Sequence, residues 1–233
     1  EIPLRLVGSE MCIRDRPLLL DTPTHDFTQT EAMSMAELLD AMSIGAKAVD
    51  TDANILLLGE MGIGNSTISS ALAASIFGGS VSDWVGAGTG SDETGITHKI
   101  NVINMGLEKH GARSDLSALL AFGGREQAAI CGAILAARAA SIPVLLDGFI
   151  CTAAAAPLYS LSTQLLDHCL VGHKSAEPGH QKLLNAMNKK PILDLDMRLG
   201  EGTGAALALC ILRGAVACHN QMATFSSAGI SNS

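Results

Sequence analysis

The stretch LLLGEMGIGNST, residues 56–67, decides the fold: an apolar run leads into a glycine-rich turn, and the turn leads into the start of a helix. Gly59 and Gly64 have the spacing of a phosphate-binding loop, G-x-x-x-x-G-K-[ST], with Ser66 at its hydroxyl position. Asn65 stands where that loop has its lysine. The lysine reaches the β- and γ-phosphates of a triphosphate, whereas amides and a helix dipole suffice for one phosphate. The stretch therefore favours a monophosphate ligand over ATP.

Composition limits the class of protein. The chain has 233 residues, of which 48% are hydrophobic and only 3% aromatic, and it contains 24 glycines. That mixture is typical of helices packed closely on a sheet. A formal net charge of −8 with no block of like charges argues against a nucleic-acid partner. Because no apolar run approaches the ~18 residues of a membrane span, we expect a soluble, cytoplasmic protein that acts on small molecules.

The six cysteines and seven histidines give no sign of a metal site. The cysteines form no C-x-x-C pair, and the histidines are scattered along the chain. Five of the cysteines lie in apolar surroundings, which predicts reduced, buried side chains. They are Cys131, Cys151, Cys169, Cys210 and Cys218, and the sixth is Cys12. We expect no metal and no cofactor.

The first sixteen residues, EIPLRLVGSEMCIRDR, differ from the rest of the chain. They have neither a sustained period nor the order of a signal peptide. We interpret residues 1–16 as a non-native tail and residues 17–233 as one α/β domain.

From residue 17 onward, strand and helix patterns alternate. Ser34 and Glu37 form a capping box in front of a helical period. Alternating strands and helices predict a three-layer, mostly parallel, Rossmann-like sheet with helices on both faces, and ligands bind such sheets beyond the carboxyl ends of the strands. The predicted strands are 55–58, 143–149 and 165–173, and the predicted helices are 66–77, 93–109, 124–140 and 204–222.

Three glycine-dense turns stand out: the first turn, GEMGIGNST (59–67), the second turn, GAGTG (86–90), and the third turn, GEGTG (200–204). Glycine lets backbone amides converge on an anion, and a helix N-terminus adds to the attraction. Each turn alone is equally consistent with a tight connection that binds nothing, but three together favour a phosphate-bearing ligand. Ser91 and Ala205 interrupt G-x-G-x-x-G, which argues against a dinucleotide site.

Two acids lie within these turns, Glu60 in the first and Glu201 in the third. A carboxylate repels phosphate, so we expect these side chains to face another part of the ligand. Two interpretations of Glu201 are open. It is either a helix N-terminal acid favoured by the dipole, or a general base in the form of a semi-buried carboxylate with a raised pKa.

Five blocks of this sequence resemble the nicotinate-nucleotide:dimethylbenzimidazole phosphoribosyltransferase family. They occur in the family's order, and the similarity extends over residues 18–233. The resemblance implies transfer of phosphoribose from nicotinate mononucleotide to 5,6-dimethylbenzimidazole, giving α-ribazole 5′-phosphate and nicotinate in assembly of the lower ligand of cobalamin. It also implies a three-layer α/β fold and a homodimer. The blocks are GEMGIGNST, WVGAGTG, LLDGF, HKSAEPGH and LDLDMRLGEGTGAALAL.

The same resemblance assigns roles to individual residues. It implies that Glu201 is the general base that takes the proton of the incoming base. Gly62, Gly88 and Lys99 match the positions that hold the phosphate. Other positions of the phosphate and substrate site match Glu60, Gly64, Asn65, Thr89, Asp147, Gly148, Ser175, Leu199 and Gly202.

The chain departs from the family pattern in two ways. Family members have more than a hundred further residues before the part that matches Leu18, including much of the pocket for the aromatic base. The usual G-N-T-T is here Gly64-Asn65-Ser66-Thr67. Two alternatives therefore stay open: a related phosphoribosyltransferase that uses another base, such as adenine or a phenol, and a non-catalytic module that binds a nucleotide monophosphate. Glu201 disfavours the second, since a binding module needs no general base.

Overall fold

In the computed structural model, which describes residues 14–88 and 90–229, the chain forms eight α-helices and four β-strands. Short 3₁₀ turns lie at Val81–Asp83 and Thr163–Leu166. The strands are β1 (Leu56–Leu58), β2 (Val144–Leu146), β3 (Cys169–His173) and β4 (Pro191–Leu193). The helices are α1 (Met35–Lys47), α2 (Asn65–Phe77), α3 (Glu93–His110), α4 (Asp115–Phe122), α5 (Arg125–Ala139), α6 (Phe149–Leu161), α7 (Pro178–Ala186) and α8 (Thr203–Gln221).

The sheet is parallel throughout its four described strands, and their order, β1-β2-β3-β4, follows the sequence. Right-handed crossovers between neighbouring parallel strands bring the connecting helices to one face. On that face α6 contacts α2, α4, α5 and α7, and α1 packs on α5 as an outer helix. Helix α8 follows the last strand and contacts β1, β3 and β4 instead.

The residues of β2 show how the two faces are filled. Val144 and Leu146 belong to the large core beneath the connecting helices, whereas Leu145 packs with Ala205 and Ala208 of α8. All five residues are completely buried. Because side chains alternate across a strand, one strand serves two cores. The predicted three-layer fold with helices on both faces is confirmed.

Several element boundaries agree with the sequence predictions. The capping box of α1 is present, with the Ser34 amide donating to the Glu37 carboxylate at 2.9 Å. Gly78, with φ of 70°, ends α2 as predicted. The predicted strand 143–149 is shorter than expected, because the chain leaves the sheet after Leu146 and begins α6 at Phe149. The predicted strand 165–173 begins only at Cys169, since a 3₁₀ turn precedes it.

Four elements, α4, α6, α7 and β4, were not predicted from the sequence. Helix α6, FICTAAAAPLYSL, is buried along most of its length and therefore carries no polar stripe that would reveal a helical period. Strand β4 has only three residues, which is too short for an alternation pattern.

Helices α1 and α5 cross at two glycines. A side-chain carbon added at Gly45 would lie 2.8 Å from Cα of Ala129, and one added at Gly132 would lie 2.8 Å from Cα of Met42. Both distances are shorter than carbon atoms tolerate, so the backbones approach closely only because these side chains are missing.

We expect Gly132→Ala to lower the free energy of unfolding by about 1–3 kcal/mol, because the added methyl group overpacks the α1–α5 crossing. Gly214→Ala is the matched control, because Gly214 lies in α8 with open space around its Cα. That change should be neutral or stabilise by up to about 1 kcal/mol through helix propensity. Urea unfolding followed by circular dichroism measures both. Equal effects of the two changes would contradict the close crossing.

Candidate active site

The loop between β4 and α8 brings the first and third turns together. The Ala176 amide, after β3, donates to the Met197 carbonyl of this loop at 2.9 Å. The loop then reaches Gly59 at the end of β1, where an added side-chain carbon would lie 2.7 Å from Cα of Gly202. The two turns are therefore in backbone contact at the carboxyl edge of the sheet.

The second turn joins the first through Lys99 and Ser66. Gly88 has φ of 59°, and a side-chain carbon there would lie 2.9 Å from Lys99 Nζ and 2.9 Å from Ser66 Oγ. Lys99 Nζ donates to Ser66 Oγ at 3.4 Å and to the carbonyls of Gly86 and Ala87, each at 3.3 Å. A half-buried cation thus faces a glycine turn beside the start of α2. Thr89, predicted as a site residue in this turn, lies outside the described residues.

The N-terminus of α2 completes this anion-binding arrangement. Gly64 is its N-cap residue with φ of 78°, and among the described residues no side chain caps the helix. A side-chain carbon at Gly64 would meet open space, so the turn is accessible there. An uncapped helix N-terminus attracts negative charge through its free N–H groups and its dipole.

Asn65, which replaces the lysine of a triphosphate loop, is engaged with Glu60. The Asn65 amide nitrogen donates a hydrogen bond to the Glu60 carboxylate. Glu60 Oε1 in turn lies 3.6 Å from the position that a side-chain carbon of Gly200 would occupy. The Glu60 side chain therefore extends from the first turn towards the third, and Asn65 holds its carboxylate.

Burial raises the pKa of Glu60 to about 7. The negative charge of Glu126 adds to this shift, the hydrogen bond from Asn65 opposes it, and the charges of Asp147 and Glu201 add further. A carboxyl group with a pKa near neutrality both accepts and releases a proton at working pH, which suits general acid–base chemistry.

Glu126 at the start of α5 is a site residue that the sequence did not reveal. Its Oε1 lies 3.0 Å from the position of an added side-chain carbon at Gly62 and 2.6 Å from the one at Gly124. Burial also raises the pKa of Glu126. The sequence did contain one signal for this residue: in FGGRE (122–126), a pair of glycines directly precedes a helix whose second residue is Glu126.

The third turn presents Glu201 in a strained conformation. Gly200, Glu201 and Gly202 all have left-handed backbones, with φ of 81°, 58° and 82°. That conformation costs a residue with a side chain roughly 1–2 kcal/mol, and such strain concentrates at functional sites. The Glu201 side chain is exposed, whereas the general-base interpretation of the sequence expected a semi-buried acid. Among the other acids of this site, Asp147 is buried, and Glu60 and Glu126 are partly buried.

Asp147 supports the third turn from below. It follows β2, is 2% exposed, and accepts hydrogen bonds from the amides of Gly202 at 3.2 Å and Ala205 at 2.8 Å. Both carboxylate oxygens are therefore engaged by the first turn of α8. Next to it, an added side-chain carbon at Gly148 would lie 2.7 Å from the His173 ring, so Gly148 makes room for this ring.

Ser175 and Leu199 differ in their surroundings. Ser175 is buried, its amide donates to His180 Nδ1 at 2.8 Å, and its hydroxyl accepts from the Glu177 amide at 3.2 Å. Burial, with the nearby His173, lowers the pKa of His180 to about 3, so its ring is neutral and Nδ1 is free to accept. Leu199 is 65% exposed beside the third turn.

The cysteines follow the prediction only in part. Cys131, Cys151 and Cys169 are buried, but the prediction was wrong for Cys210 and Cys218, which are exposed. Both lie on α8, whose outer face the described chain leaves uncovered. Cys12 lies outside the described residues.

Residues 14–88 and 90–229 show neither a metal-binding cluster nor a membrane-spanning helix. Within these ranges no group of three or more histidine, cysteine or acidic side chains is arranged to hold a metal ion. No helix in the described part of the chain has the length and apolar character to cross a bilayer.

Comparison with known proteins identifies the family. The model of the family described as DBI_PRT, phosphoribosyltransferase, matches residues 5–230. The chain belongs to this family. The DBI_PRT match also accounts for the blocks GEMGIGNST and RLGEGTGAALAL, so the membership predicted from them is confirmed.

Individual DBI_PRT relatives agree with this assignment. The nicotinate-nucleotide–dimethylbenzimidazole phosphoribosyltransferase of Rhodobacter capsulatus is 59% identical over 211 residues, which are 91% of this chain and 63% of the relative. The protein of that name from Roseobacter denitrificans is 54% identical, over 92% of this chain and 64% of the relative. The crystal structure of CobT from Thermus thermophilus matches with a TM-score of 0.84 and 39% identity, over 90% of this chain and 64% of that one. The chain thus spans 63–64% of the length of these three proteins.

We expect the Glu60 carboxyl group to titrate at about 7, and Glu126→Gln to lower its pKa because a neighbouring negative charge is removed. Carbon-13 NMR of glutamate side chains, followed from pH 4 to 9, measures both values. Glu108→Gln, at an exposed position of α3, is the control and should leave the Glu60 titration unchanged. A Glu60 pKa near its ordinary value of 4.5 would show that burial and Glu126 do not act on it as described.

Proposed function

We propose that the chain transfers phosphoribose from nicotinate mononucleotide to 5,6-dimethylbenzimidazole, giving α-ribazole 5′-phosphate and nicotinate. The observation that carries this proposal is the meeting of an anion-binding arrangement and two acids at one edge of the sheet. Relatives that are 54–59% identical bear the name of this activity. A homodimer, a cytoplasmic location and action without a cofactor remain part of the proposal.

The second turn and the start of α2 suit the 5′-phosphate. Lys99 Nζ lies beside Gly88 and Ser66, so an oxygen entering there meets a cation, a hydroxyl group and nearby amides. Charge-assisted hydrogen bonds of this kind are about twice as strong as neutral ones. Gly62 stays in the proposed phosphate site because it matches the family position; Glu126 Oε1 lies 3.0 Å from where its side-chain carbon would be, so the phosphate has to reach the Gly62 backbone on the side away from this acid.

The acids suit the reacting ring. In nicotinate mononucleotide the pyridinium nitrogen is positively charged, so nicotinate departs with the bond electrons and needs no proton. The incoming benzimidazole nitrogen forms the new bond to C1′, while the proton on its other nitrogen passes to a carboxylate. We assign Glu201 as this base, with Glu60 beside it as the second acceptor. Attack on the face opposite the leaving group inverts β to α.

Product analysis tests the proposal. The chain is incubated with nicotinate mononucleotide and, in separate reactions, with 5,6-dimethylbenzimidazole, adenine or a phenol. Chromatography with mass detection should find α-ribazole 5′-phosphate in the first reaction. Products from adenine or the phenol alone would favour the transferase for another base. Binding of the mononucleotide with no product from any base would favour the non-catalytic module.

Lys99→Ala should weaken binding of nicotinate mononucleotide by about 1.5–3 kcal/mol, because a charge-assisted contact to the phosphate is lost. Free nicotinate, which has no phosphate, should bind equally well to both proteins. Isothermal titration calorimetry measures the two affinities. Lys109→Ala, at an exposed position of the same helix, is the control. Equal losses for both ligands would remove the phosphate assignment.

Glu201→Gln should reduce turnover of 5,6-dimethylbenzimidazole by about 10²–10⁴-fold, the usual contribution of a general base. Affinity for the mononucleotide should stay within a few-fold, because Lys99 and Gly88 are untouched. The loss should shrink for a nucleophile that is already deprotonated. Near-normal turnover by Glu201→Gln, with a large loss for Glu60→Gln, would move the role of base to Glu60.

A further inference from the structure

Arg198 and Glu177 link the second turn to the loop that carries the third. Arg198 Nη2 donates to the Gly88 carbonyl at 2.7 Å and lies 3.3 Å from Glu177 Oε1. The steps just proposed use neither charged residue. Arg198 and Gly88 are 110 positions apart in sequence, so this contact joins distant parts of the chain.

Glu177 is a fixed anchor for Arg198. It is the N-cap residue of α7, its side chain is only 10% exposed, and its amide donates to Ser175 Oγ at 3.2 Å. The carboxylate occupies space that Gly86 leaves free, because an added side-chain carbon at Gly86 would lie 3.1 Å from Glu177 Cδ and closer still to its oxygen. A buried carboxylate is costly unless it is paired, so Arg198 compensates its burial.

Gly88 is held from two sides. Lys99 and Ser66 lie where its side chain would be, and Arg198 holds its carbonyl oxygen. Arg198 also lies three residues before Glu201, in the loop whose Met197 carbonyl accepts the Ala176 amide at 2.9 Å. The same side chain therefore fixes the phosphate side of the site relative to the acid side.

We propose that Arg198 and Glu177 form a clasp that positions the second turn against the third and so sets the distance between the bound phosphate and Glu201. Both are positioning residues, and Arg198 acts through Gly88 without contacting the ligand. This inference rests on the proposed function for its ligand, nicotinate mononucleotide. The competing explanation of Arg198 is a direct contact to the phosphate.

Glu177→Gln separates the two explanations, because they predict changes of opposite sign. If Arg198 bound the phosphate directly, loss of the competing Glu177 charge would leave affinity unchanged or increase it. With the clasp, Glu177→Gln and Arg198→Met each weaken nicotinate mononucleotide on the order of tenfold, as expected for loss of a hydrogen bond that involves a charged group. The double variant should then be no weaker than either single one, since both changes remove the same link.

Calorimetric titration with nicotinate mononucleotide and with inorganic phosphate gives these affinities, and thermal unfolding verifies that each variant is folded. Lys182→Met is the matched control. Lys182 lies on α7, the helix that Glu177 caps, and the change breaks its 2.7 Å ion pair with Asp83. This ion pair does not join the second turn to the third. The control should bind like the original chain. Unchanged or tighter binding by Glu177→Gln overturns the clasp.

Amide hydrogen exchange tests the clasp without any ligand, and so independently of the proposed function. Arg198→Met should increase exchange in the second and third turns together, because each loses its link to the other. Lys182→Met should change neither turn. A chain that fails to bind nicotinate mononucleotide but shows this paired increase would retain the clasp and lose the proposed function. Binding by the original chain without the paired increase would retain the function and overturn the clasp.

Discussion

The candidate site depends on one buried interaction, between the Asp147 carboxylate and the amides of Gly202 and Ala205. A buried carboxylate without a partner is strongly destabilising, but the N-terminus of α8 supplies two N–H donors and the positive end of a helix dipole. The interaction ties the end of a central strand to the helix that covers the second face of the sheet. Because the third turn lies between these two anchors, the position of Glu201 follows from it.

The three glycine turns consequently differ in purpose, although their sequences look alike. The second turn and the start of α2 face Lys99 and form the proposed anion side. In the third turn, the amide of Gly202 is already bonded to Asp147, so its glycines serve close approach and left-handed backbone. Gly59 also permits close approach, since only glycine lets the backbone of the first turn contact that of the third. Glycine-rich sequence thus brought the three turns into the candidate site, but it did not distinguish anion binding from backbone packing.

What the sequence predicted was local, and what it did not predict depends on distant contacts. The capping box of α1, the glycine end of α2 and the alternation of strands and helices are each encoded within a few residues. The role of Asp147 depends on amides 55 and 58 positions away. Glu126 is a site residue only because α5 begins beneath Gly62. The buried α6 was not predicted because uniform burial leaves no polar stripe.

Positive and negative side chains lie on separate sides of the candidate site. Lys99 and Arg198 lie at Gly88, whereas Glu60, Glu126, Asp147 and Glu201 lie around the first and third turns. Under the proposed reaction, the phosphate of nicotinate mononucleotide occupies the cationic side and its pyridinium ring faces the acids. The pyridinium charge disappears when the bond to C1′ breaks, and the released nicotinate keeps only its negative carboxylate. The acids that attract the substrate ring therefore repel the product, so the field that favours binding before transfer favours release after it.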